Sequence, residues 1–206
     1  MELAGLWCCG RPYISKGLID QGKSLARQNV AKLAAFVDQG LPIVGAEPSC
    51  LLTLVDEYPD LFPSEETNRV RDNAFLVDAW LGSKIAAGQT DLQFQEQTGT
   101  ALLHGHCQQK ALVGMTGTKQ ALAMIPGLTV KEVDSGCCGM AGSFGYEHYD
   151  VSQQIGERAL FPAVKGHAGP VVAPGFSCRH QIADASGRHP LHPLEMLAAA
   201  IGKFPS

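Results

Sequence analysis

Seven cysteines are the residues of this sequence with the clearest chemical potential, and they are clustered. They form two adjacent pairs and three single positions: Cys8-Cys9, Cys137-Cys138, Cys50, Cys107 and Cys178. A chain of 206 residues can bury a core without disulfide staples, and an odd number of cysteines does not suggest a disulfide framework. In a reducing compartment, clustered thiols more often bind metal or take part in redox chemistry. We therefore treat all seven as candidate ligands.

The cysteines also reveal an internal repeat. Cys8-Cys9-Gly10 recurs 129 residues later as Cys137-Cys138-Gly139, and Pro48-Ser49-Cys50 recurs 128 residues later as Phe176-Ser177-Cys178. Two independent marks with nearly the same offset predict a tandem repeat. We place the first cysteine-rich unit at residues 1–87 and the second at residues 88–206.

The two predicted units differ in their number of cysteines. The second unit has four, whereas the first has three, because a counterpart of Cys107 would precede Met1. We expect that the chain begins partway through the first unit. The alternative is a short natural protein in which one unit has decayed.

Hydrophobic patterning predicts an α/β fold built from two small parallel-sheet units with flanking helices. A polar segment at 88–100 is the expected connector. The expected helices are 18–38, 67–86, 108–124, 147–164, a short helix after Cys178, and 193–202; the expected strands are 41–45, 101–103, 128–130 and 169–173.

Three single cysteines occupy the same position within this pattern. Cys50, Cys107 and Cys178 each follow an apolar strand and precede a helical stretch. In a parallel sheet this position is the carboxyl edge, where ligands usually bind. The helix N-terminus that follows offers N–H groups that stabilise a thiolate, the form of cysteine that binds metal.

The adjacent cysteine pairs indicate which kind of metal site the chain could form. Neighbouring residues in an extended loop point apart, so two adjacent sulfurs suit a body of several metal ions better than one small ion. The chain has neither the short Cys-x-x-Cys hooks of structural zinc sites nor the ferredoxin spacing. Glycines recur every third residue through and after the second pair, which predicts a tight wrapping turn rather than a phosphate loop: Gly136, Gly139, Gly142 and Gly145.

These motifs resemble the cysteine-rich repeat that occurs in heterodisulfide reductase and in the iron–sulfur subunits of glycolate oxidase and anaerobic glycerol-3-phosphate dehydrogenase. The motifs are more similar to the C-terminal part of fused FAD- and iron–sulfur-containing dehydrogenases of D-lactate or D-2-hydroxyglutarate. The resemblance covers nearly the whole chain, and its matching segments are Cys8–Pro12, Glu47–Leu52, His104–Lys110 and Ser135–Gly142.

One departure affects the cofactor. The heterodisulfide reductase repeat ends in Cys-x-x-Cys, but the first of these two positions is Glu47 in one unit and Gly175 in the other. Each complete unit therefore offers four cysteines instead of five. The resemblance then implies a [4Fe–4S] cluster held by Cys107, Cys137, Cys138 and Cys178, with zinc as the alternative metal and with Cys8, Cys9 and Cys50 as further cluster-binding candidates.

The resemblance implies an electron-transfer role. A 2-hydroxy acid such as D-lactate, glycolate or D-2-hydroxyglutarate would reduce FAD in an upstream flavoprotein domain or subunit, and electrons would pass through iron–sulfur centres to a quinone or another acceptor. No flavin-binding segment and no catalytic residue are recognisable here, so we do not expect the isolated chain to turn over substrate. Two alternatives remain: a zinc module that is structural or joins subunits, and thiol–disulfide chemistry at a cluster.

Bulk composition excludes other classes. The net charge of −4 gives no basic field for nucleic acid, and no apolar run reaches the roughly 20 residues of a membrane span. The first residues do not resemble a signal peptide. We expect a cytoplasmic protein and leave open a peripheral membrane association of its longer parent; oligomeric state is not predicted.

Several other residues near the cysteines have two interpretations. Glu47 could be an oxygen ligand or the cap of the following helix. His104 and His106 could bind zinc or relay protons, although structural hydrogen bonds are the interpretation favoured by the sequence. The cations that follow cysteines closely could offset cluster charge or lie at a solvated surface: Arg11, Lys110 and Arg179.

Overall fold

The computed structural model describes residues 4–6 and 8–201, which divide into two compact units between Val77 and Asp78. Each unit contains its own all-parallel sheet, which confirms the predicted α/β class. The predicted boundary after residue 87 lies at the other end of the helix Val77–Ala86. That helix packs on the second unit, where Gly82 contacts Ala121.

The first unit is a two-stranded sheet covered by helices. Strand β1 (Ile43–Gly45) pairs in parallel with strand β2 (Ala74–Leu76), with Val44 opposite Phe75. An apolar face on the longest helix packs against Leu54, Tyr58 and Val70, and this face confirms the helix predicted at 18–38. The elements are α1 (Arg11–Ser15), α2 (Ile19–Val37), β1 (Ile43–Gly45), α3 (Pro48–Val55), α4 (Glu57–Leu61), α5 (Glu65–Asp72) and β2 (Ala74–Leu76).

The second unit has a three-stranded parallel sheet, in which β3 (Gly99–Leu103) lies between β4 (Leu128–Glu132) and β5 (Val171–Val172). Its first elements are α6 (Val77–Ala86), β3 (Gly99–Leu103), α7 (Cys107–Leu112), α8 (Thr116–Ala123) and β4 (Leu128–Glu132). The remaining elements are α9 (Phe144–Glu147), α10 (Tyr149–Glu157), α11 (Leu160–Lys165), β5 (Val171–Val172), α12 (Phe176–Ser186) and α13 (Pro193–Ala200).

Apolar clusters cover both faces of this sheet. Leu102 belongs to one cluster, whereas its neighbours Ala101 and Leu103 belong to the other. Val171 and Val172 divide in the same way. Alternation along each strand therefore buries β3 and β5 on both faces, as expected for parallel strands between helices.

The predicted helix at 67–86 was wrong. Helix α5 ends at Asp72, strand β2 follows at Ala74–Leu76, and α6 begins at Val77. The strand forms because β1 offers it a partner, and the N–H of Ile43 donates to the carbonyl oxygen of Asn73 at 2.8 Å. Periodicity alone cannot distinguish a three-residue buried strand from a helical segment.

Two other predicted helices are each broken into two. The segment 108–124 is interrupted between α7 and α8, where Gly114 has a φ of 72°. The segment 147–164 is interrupted between α10 and α11, with Ala159 at a φ of −155° outside the helical region.

Among the described residues, none of the helices combines the length and apolar character needed to cross a bilayer.

Candidate metal centre

The carboxyl edge of the β4-β3-β5 sheet carries all four cysteines of the second unit. Cys107 follows β3 and is the first residue of α7. The Cys137-Cys138 pair lies in the loop after β4, and Cys178 lies in the first turn of α12 after β5. Because the three strands are parallel neighbours, their carboxyl ends bring these segments together. The strand–cysteine–helix arrangement expected from the sequence is present for both single cysteines.

The four thiols form a continuous chain of contacts. Cys107 hydrogen bonds with Cys137, Cys137 with Cys138, and Cys138 with Cys178. Exposure falls along this chain, because Cys107 is exposed and Cys137 is half-buried, whereas Cys138 and Cys178 are only 3% and 2% exposed. The last two belong to the apolar cluster under the sheet. The site therefore has one solvent-facing end and one buried end.

These contacts separate the thiols into two types. Hydrogen bonds from Cys107 and Cys138 lower the pKa of Cys137, and the hydrogen bond from Cys138 lowers the pKa of Cys178. The same contacts, together with burial, raise the pKa of Cys107 and the pKa of Cys138. Cys107 and Cys138 thus act as hydrogen-bond donors toward the sulfurs of Cys137 and Cys178. A metal ion that displaces the thiol protons would interact favourably with all four sulfurs. The set of donor atoms therefore fits a metal that prefers sulfur ligands.

The loop around the second pair depends on Gly139. Its N–H donates to the Sγ atom of Cys137 at 3.3 Å, and its φ is 100°. A Cβ at this position would collide with the carbonyl oxygen of Ser152. Gly136, in contrast, has open space around it. The wrapping turn predicted from the spaced glycines therefore has its tightest point directly after the cysteine pair.

Two cations near these cysteines hold backbone loops. The Nζ atom of Lys110 donates to the carbonyl oxygens of Ser135 and Gly136, just before the cysteine pair. The Nη1 atom of Arg179 donates to the carbonyl oxygens of Ala173 at 3.0 Å and Pro174 at 2.6 Å. Both side chains therefore fix the loops next to these cysteines, a role that the sequence alone did not indicate.

Two histidines border the buried end of the sulfur chain. His104 follows β3 directly, is 0% exposed, and has its Nδ1 atom 2.9 Å from the Oγ atom of Ser135. A ring nitrogen of His104 and the Sγ atoms of Cys138 and Cys178 all lie within 4.8 Å of one another. His104 and His106 also contribute to lowering the pKa of Cys178. The arrangement His104-Gly105-His106-Cys107 after a strand was the available sequence signal for this nitrogen group.

The first unit gathers its three cysteines in a related way. The N–H of Gly10 donates to the Sγ atom of Cys8 at 3.4 Å, as the N–H of Gly139 does for Cys137. A hydrogen bond from Cys9 lowers the pKa of Cys50, and the same contact, with burial, raises the pKa of Cys9. All three predicted candidates of this unit therefore lie close together.

Two buried polar side chains support the first cysteine pair. The Nδ2 atom of Asn29 donates to the carbonyl oxygen of Cys8 at 2.8 Å and to the hydroxyl of Tyr58 at 2.7 Å. That hydroxyl donates in turn to the carbonyl oxygen of Cys9 at 2.9 Å. Burial raises the pKa of Tyr58 to about 12, so the hydroxyl keeps its proton, and with it this bond, well above neutral pH.

Glu47 caps a helix. Its Oε1 atom accepts from the N–H of Ser49 at 3.4 Å and from the Ser49 hydroxyl at 2.8 Å, at the start of α3. Of its two interpretations, helix capping is the one that these contacts support. Arg11 pairs with Glu57 of α4, so its guanidinium has a partner within the protein.

A family model described as a cysteine-rich domain, CCG, matches residues 1–55 and 101–183. The chain belongs to the cysteine-rich CCG domain family. Each matched segment contains one Cys-Cys-Gly triplet and the single cysteine that follows it, so the two CCG segments coincide with the repeat found in the sequence. The second CCG segment also contains Cys107 and His104.

Curated relatives of this CCG protein include parts of dehydrogenases. It is 31% identical over 197 residues to a subunit of anaerobic glycerol-3-phosphate dehydrogenase of Escherichia coli (strain K12), covering 94% of this chain and 49% of that protein. It is 30% identical over 197 residues to D-2-hydroxyglutarate dehydrogenase of Pantoea ananatis (strain AJ13355), covering 93% of this chain and 19% of that protein.

A third relative is covered over more of its own length. Lactate utilization protein A of Bacillus thuringiensis (strain Al Hakam) is 24% identical over 184 residues, covering 83% of this chain and 72% of that protein. The chain thus spans about half of the glycerol-3-phosphate relative and a fifth of the hydroxyglutarate relative. The resemblance drawn from the cysteine motifs is confirmed at the level of the family.

Proposed function

We propose that this chain is the iron–sulfur electron-transfer module of a flavin-linked dehydrogenase that oxidises a 2-hydroxy acid or a similar secondary alcohol. The observation that carries the proposal is the continuous chain of four thiols at the carboxyl edge of the second sheet. The relatives named as dehydrogenases of D-2-hydroxyglutarate and glycerol 3-phosphate support the reaction class.

Cys107, Cys137, Cys138 and Cys178 would hold the cluster, and a [4Fe–4S] cluster supplies one-electron transfer when bound. The Gly139 N–H already donates to the sulfur of Cys137, and hydrogen bonds to cluster sulfur tune the reduction potential. The buried position of Cys138 and Cys178 keeps water from two of the four ligands. These features suit a centre that is reduced by flavin and protected from solvent.

The exposed end of the site is where an electron-transfer partner could approach. Cys107 is exposed, so its side of the centre is the nearest approach for an electron donor or acceptor. The partner would be a flavoprotein domain or subunit. Its flavin would take two electrons from the substrate as hydride and pass them to the cluster one at a time. Electrons would leave to a quinone or another acceptor. This chain's residues bind and insulate the cluster, and they do not act on the substrate.

A reduction assay tests the proposal. The anaerobically purified chain is mixed with a flavoprotein dehydrogenase and D-2-hydroxyglutarate, D-lactate, glycolate or glycerol 3-phosphate, and the visible absorbance of the iron–sulfur centre is followed. We expect bleaching that depends on both the dehydrogenase and one of these substrates. Cys137→Ser is the inactive control, and Cys50→Ser tests whether the first unit contributes. A chain that contains iron and sulfide but is not reduced under any of these conditions would contradict the proposal.

Zinc is the alternative occupant, and the close grouping of one histidine nitrogen with the sulfurs of Cys138 and Cys178 is the observation that favours it. A single ion needs four donors within bonding distance, and this group supplies three of them. Under that alternative the chain would bind zinc without sulfide and would accept no electrons. The same purified sample therefore separates the two functions.

A further inference from the structure

His104 has a buried ring nitrogen that the fold itself does not use. Its Nδ1 atom is paired with the Ser135 hydroxyl, whereas its Nε2 atom is buried and has no hydrogen-bond partner among the residues that the structure describes. The side chain is 0% exposed, so water cannot reach it from the surface. A buried polar atom without a partner is unfavourable, so its presence in a native fold calls for a function.

The position of this ring is fixed from two sides. The backbone N–H of His104 donates to the carbonyl oxygen of Val172 on β5 at 2.9 Å, which anchors the residue at the end of the sheet. Ser135, after β4, holds the Nδ1 atom. Metal-binding histidines usually donate their second ring N–H to such an oxygen, because this selects the tautomer with a free lone pair on the other nitrogen.

The direction of the ring is toward the sulfurs. One of its nitrogens lies within 4.8 Å of the Sγ atoms of both Cys138 and Cys178, and Nδ1 is already paired with Ser135. A metal held by these sulfurs at about 2.3 Å is within reach of an imidazole nitrogen at about 2.0–2.1 Å.

The neighbouring histidine shows how closely imidazole packs on the same sulfur. A Cβ on Gly175 would stand 2.5 Å from the Cδ2 atom of His106 and 3.3 Å from the Sγ atom of Cys178. The glycine therefore makes room for the ring of His106 beside this ligand. The Nδ1 atom of His106 is also buried without a hydrogen-bond partner within the described part of the chain.

We propose that His104 is a fifth donor of the second-unit metal centre and binds through Nε2 beside Cys138 and Cys178, with Ser135 accepting from Nδ1. At an iron–sulfur cluster the centre is then a four-cysteine, one-histidine site. At a single zinc ion, which takes four donors, His104 would take the place of one cysteine. This assignment rests on the metal centre of the proposed function. His106 supports the packing around Cys178 and is not assigned as a ligand.

The test is nitrogen hyperfine spectroscopy of the chain labelled with ¹⁵N only in histidine. Selective labelling distinguishes imidazole from the backbone nitrogen of Gly139, which also approaches a ligand sulfur. Dithionite-reduced wild type is compared with His104→Gln and with the control His180→Gln. His180 lies two residues after Cys178 but is exposed and contacts the rings of Tyr146 and Phe176.

We expect the strong coupling of a directly bound histidine nitrogen in wild type and His180→Gln, and its loss in His104→Gln. Absence of that coupling in wild type, or its persistence in His104→Gln, overturns the assignment. If His104→Gln does not fold, Ser135→Ala keeps the ring and removes its orienting partner. This variant is expected to lower metal affinity about 10–100-fold, and an unchanged affinity overturns the assignment.

Iron, sulfide and zinc are measured on the same samples, so failure of the proposed function is seen separately. If the protein contains zinc and no sulfide, the iron–sulfur function fails while the histidine assignment is tested by zinc X-ray absorption. A nitrogen at about 2.0–2.1 Å that is lost in His104→Gln then supports the assignment, and sulfur ligands alone overturn it. A sample that binds neither metal overturns both.

Discussion

Replacing Gly139 with alanine is expected to break the loop that presents Cys137 and Cys138. The backbone at this position has a φ of 100°, and the added methyl group would meet the carbonyl oxygen of Ser152 and come within 3.2 Å of the Nε2 atom of Gln181. Neither neighbour can move freely, because Gln181 also donates to the Ser152 hydroxyl at 2.8 Å. The loop itself must shift.

The cost has two parts. Left-handed backbone costs an alanine about 1–2 kcal/mol relative to glycine. Overpacking against a fixed carbonyl group adds about 1–3 kcal/mol. The free energy of unfolding of the second unit should therefore fall by about 2–5 kcal/mol, and the movement of Cys137 should also reduce the metal content.

Gly136→Ala is the matched control, because it lies in the same loop and a Cβ there meets nothing within 4 Å. Urea unfolding followed by circular dichroism gives the stability of each variant, and iron and zinc analysis gives the metal content. We expect the Gly136 variant to stay within about 1 kcal/mol of wild type. Equal stability and equal metal content of the two variants would refute this explanation of the loop.

Three further substitutions probe other contacts. Lys110→Met removes two charged hydrogen bonds to carbonyl groups, so urea unfolding should show a loss of about 1–3 kcal/mol in the free energy of unfolding. Lys119→Met is its control. It breaks only a surface ion pair and should cost less than about 1 kcal/mol. Tyr58→Phe leaves the carbonyl of Cys9 without its donor and should cost about 1–3 kcal/mol at pH 7. Gly175→Ala should displace the histidine ring packed on it and lower metal content, as measured by elemental analysis.

The tyrosine variant also carries a pH signature. Burial raises the folded-state pKa of Tyr58 from 10.0 to about 12, so its contribution is complete below pH 10 and is lost as pH rises from 10 to 12. Over that window the wild type should lose about 2–3 kcal/mol more than Tyr58→Phe. Parallel stability curves for the two proteins above pH 10 would contradict this result.

Equal losses for the two lysine variants, or normal metal content in Gly175→Ala, would count against those predictions.

Some of the architecture was readable from the sequence because it depends on local pattern. The patterns predicted a helix at 18–38 and a buried strand at 101–103, which the structure has as Ile19–Val37 and Gly99–Leu103, and the cysteine spacing predicted the repeat. The position of Cys178 near a helix N-terminus after a strand was also predicted, although the helix begins at Phe176, two residues earlier than the cysteine. These features need only residues that are close in the chain.

Other features depend on distant partners. Strand Ala74–Leu76 exists because Ile43–Gly45 pairs with it, and nothing within 67–86 distinguishes it from a helix. Ser135 occupies one ring nitrogen of His104, and within the described part of the chain the other nitrogen has no hydrogen-bond partner. Which polar atoms are paired is a property of the folded molecule, so sequence reasoning favoured a structural role for this histidine.

The most direct test of the central claim is the iron and acid-labile sulfide content of the anaerobically purified chain, measured beside Cys137→Ser. We predict iron and sulfide in near-equal amounts in the wild type and the loss of both from the second unit in the variant. Zinc without sulfide, or iron and sulfide unchanged in Cys137→Ser, would contradict this claim.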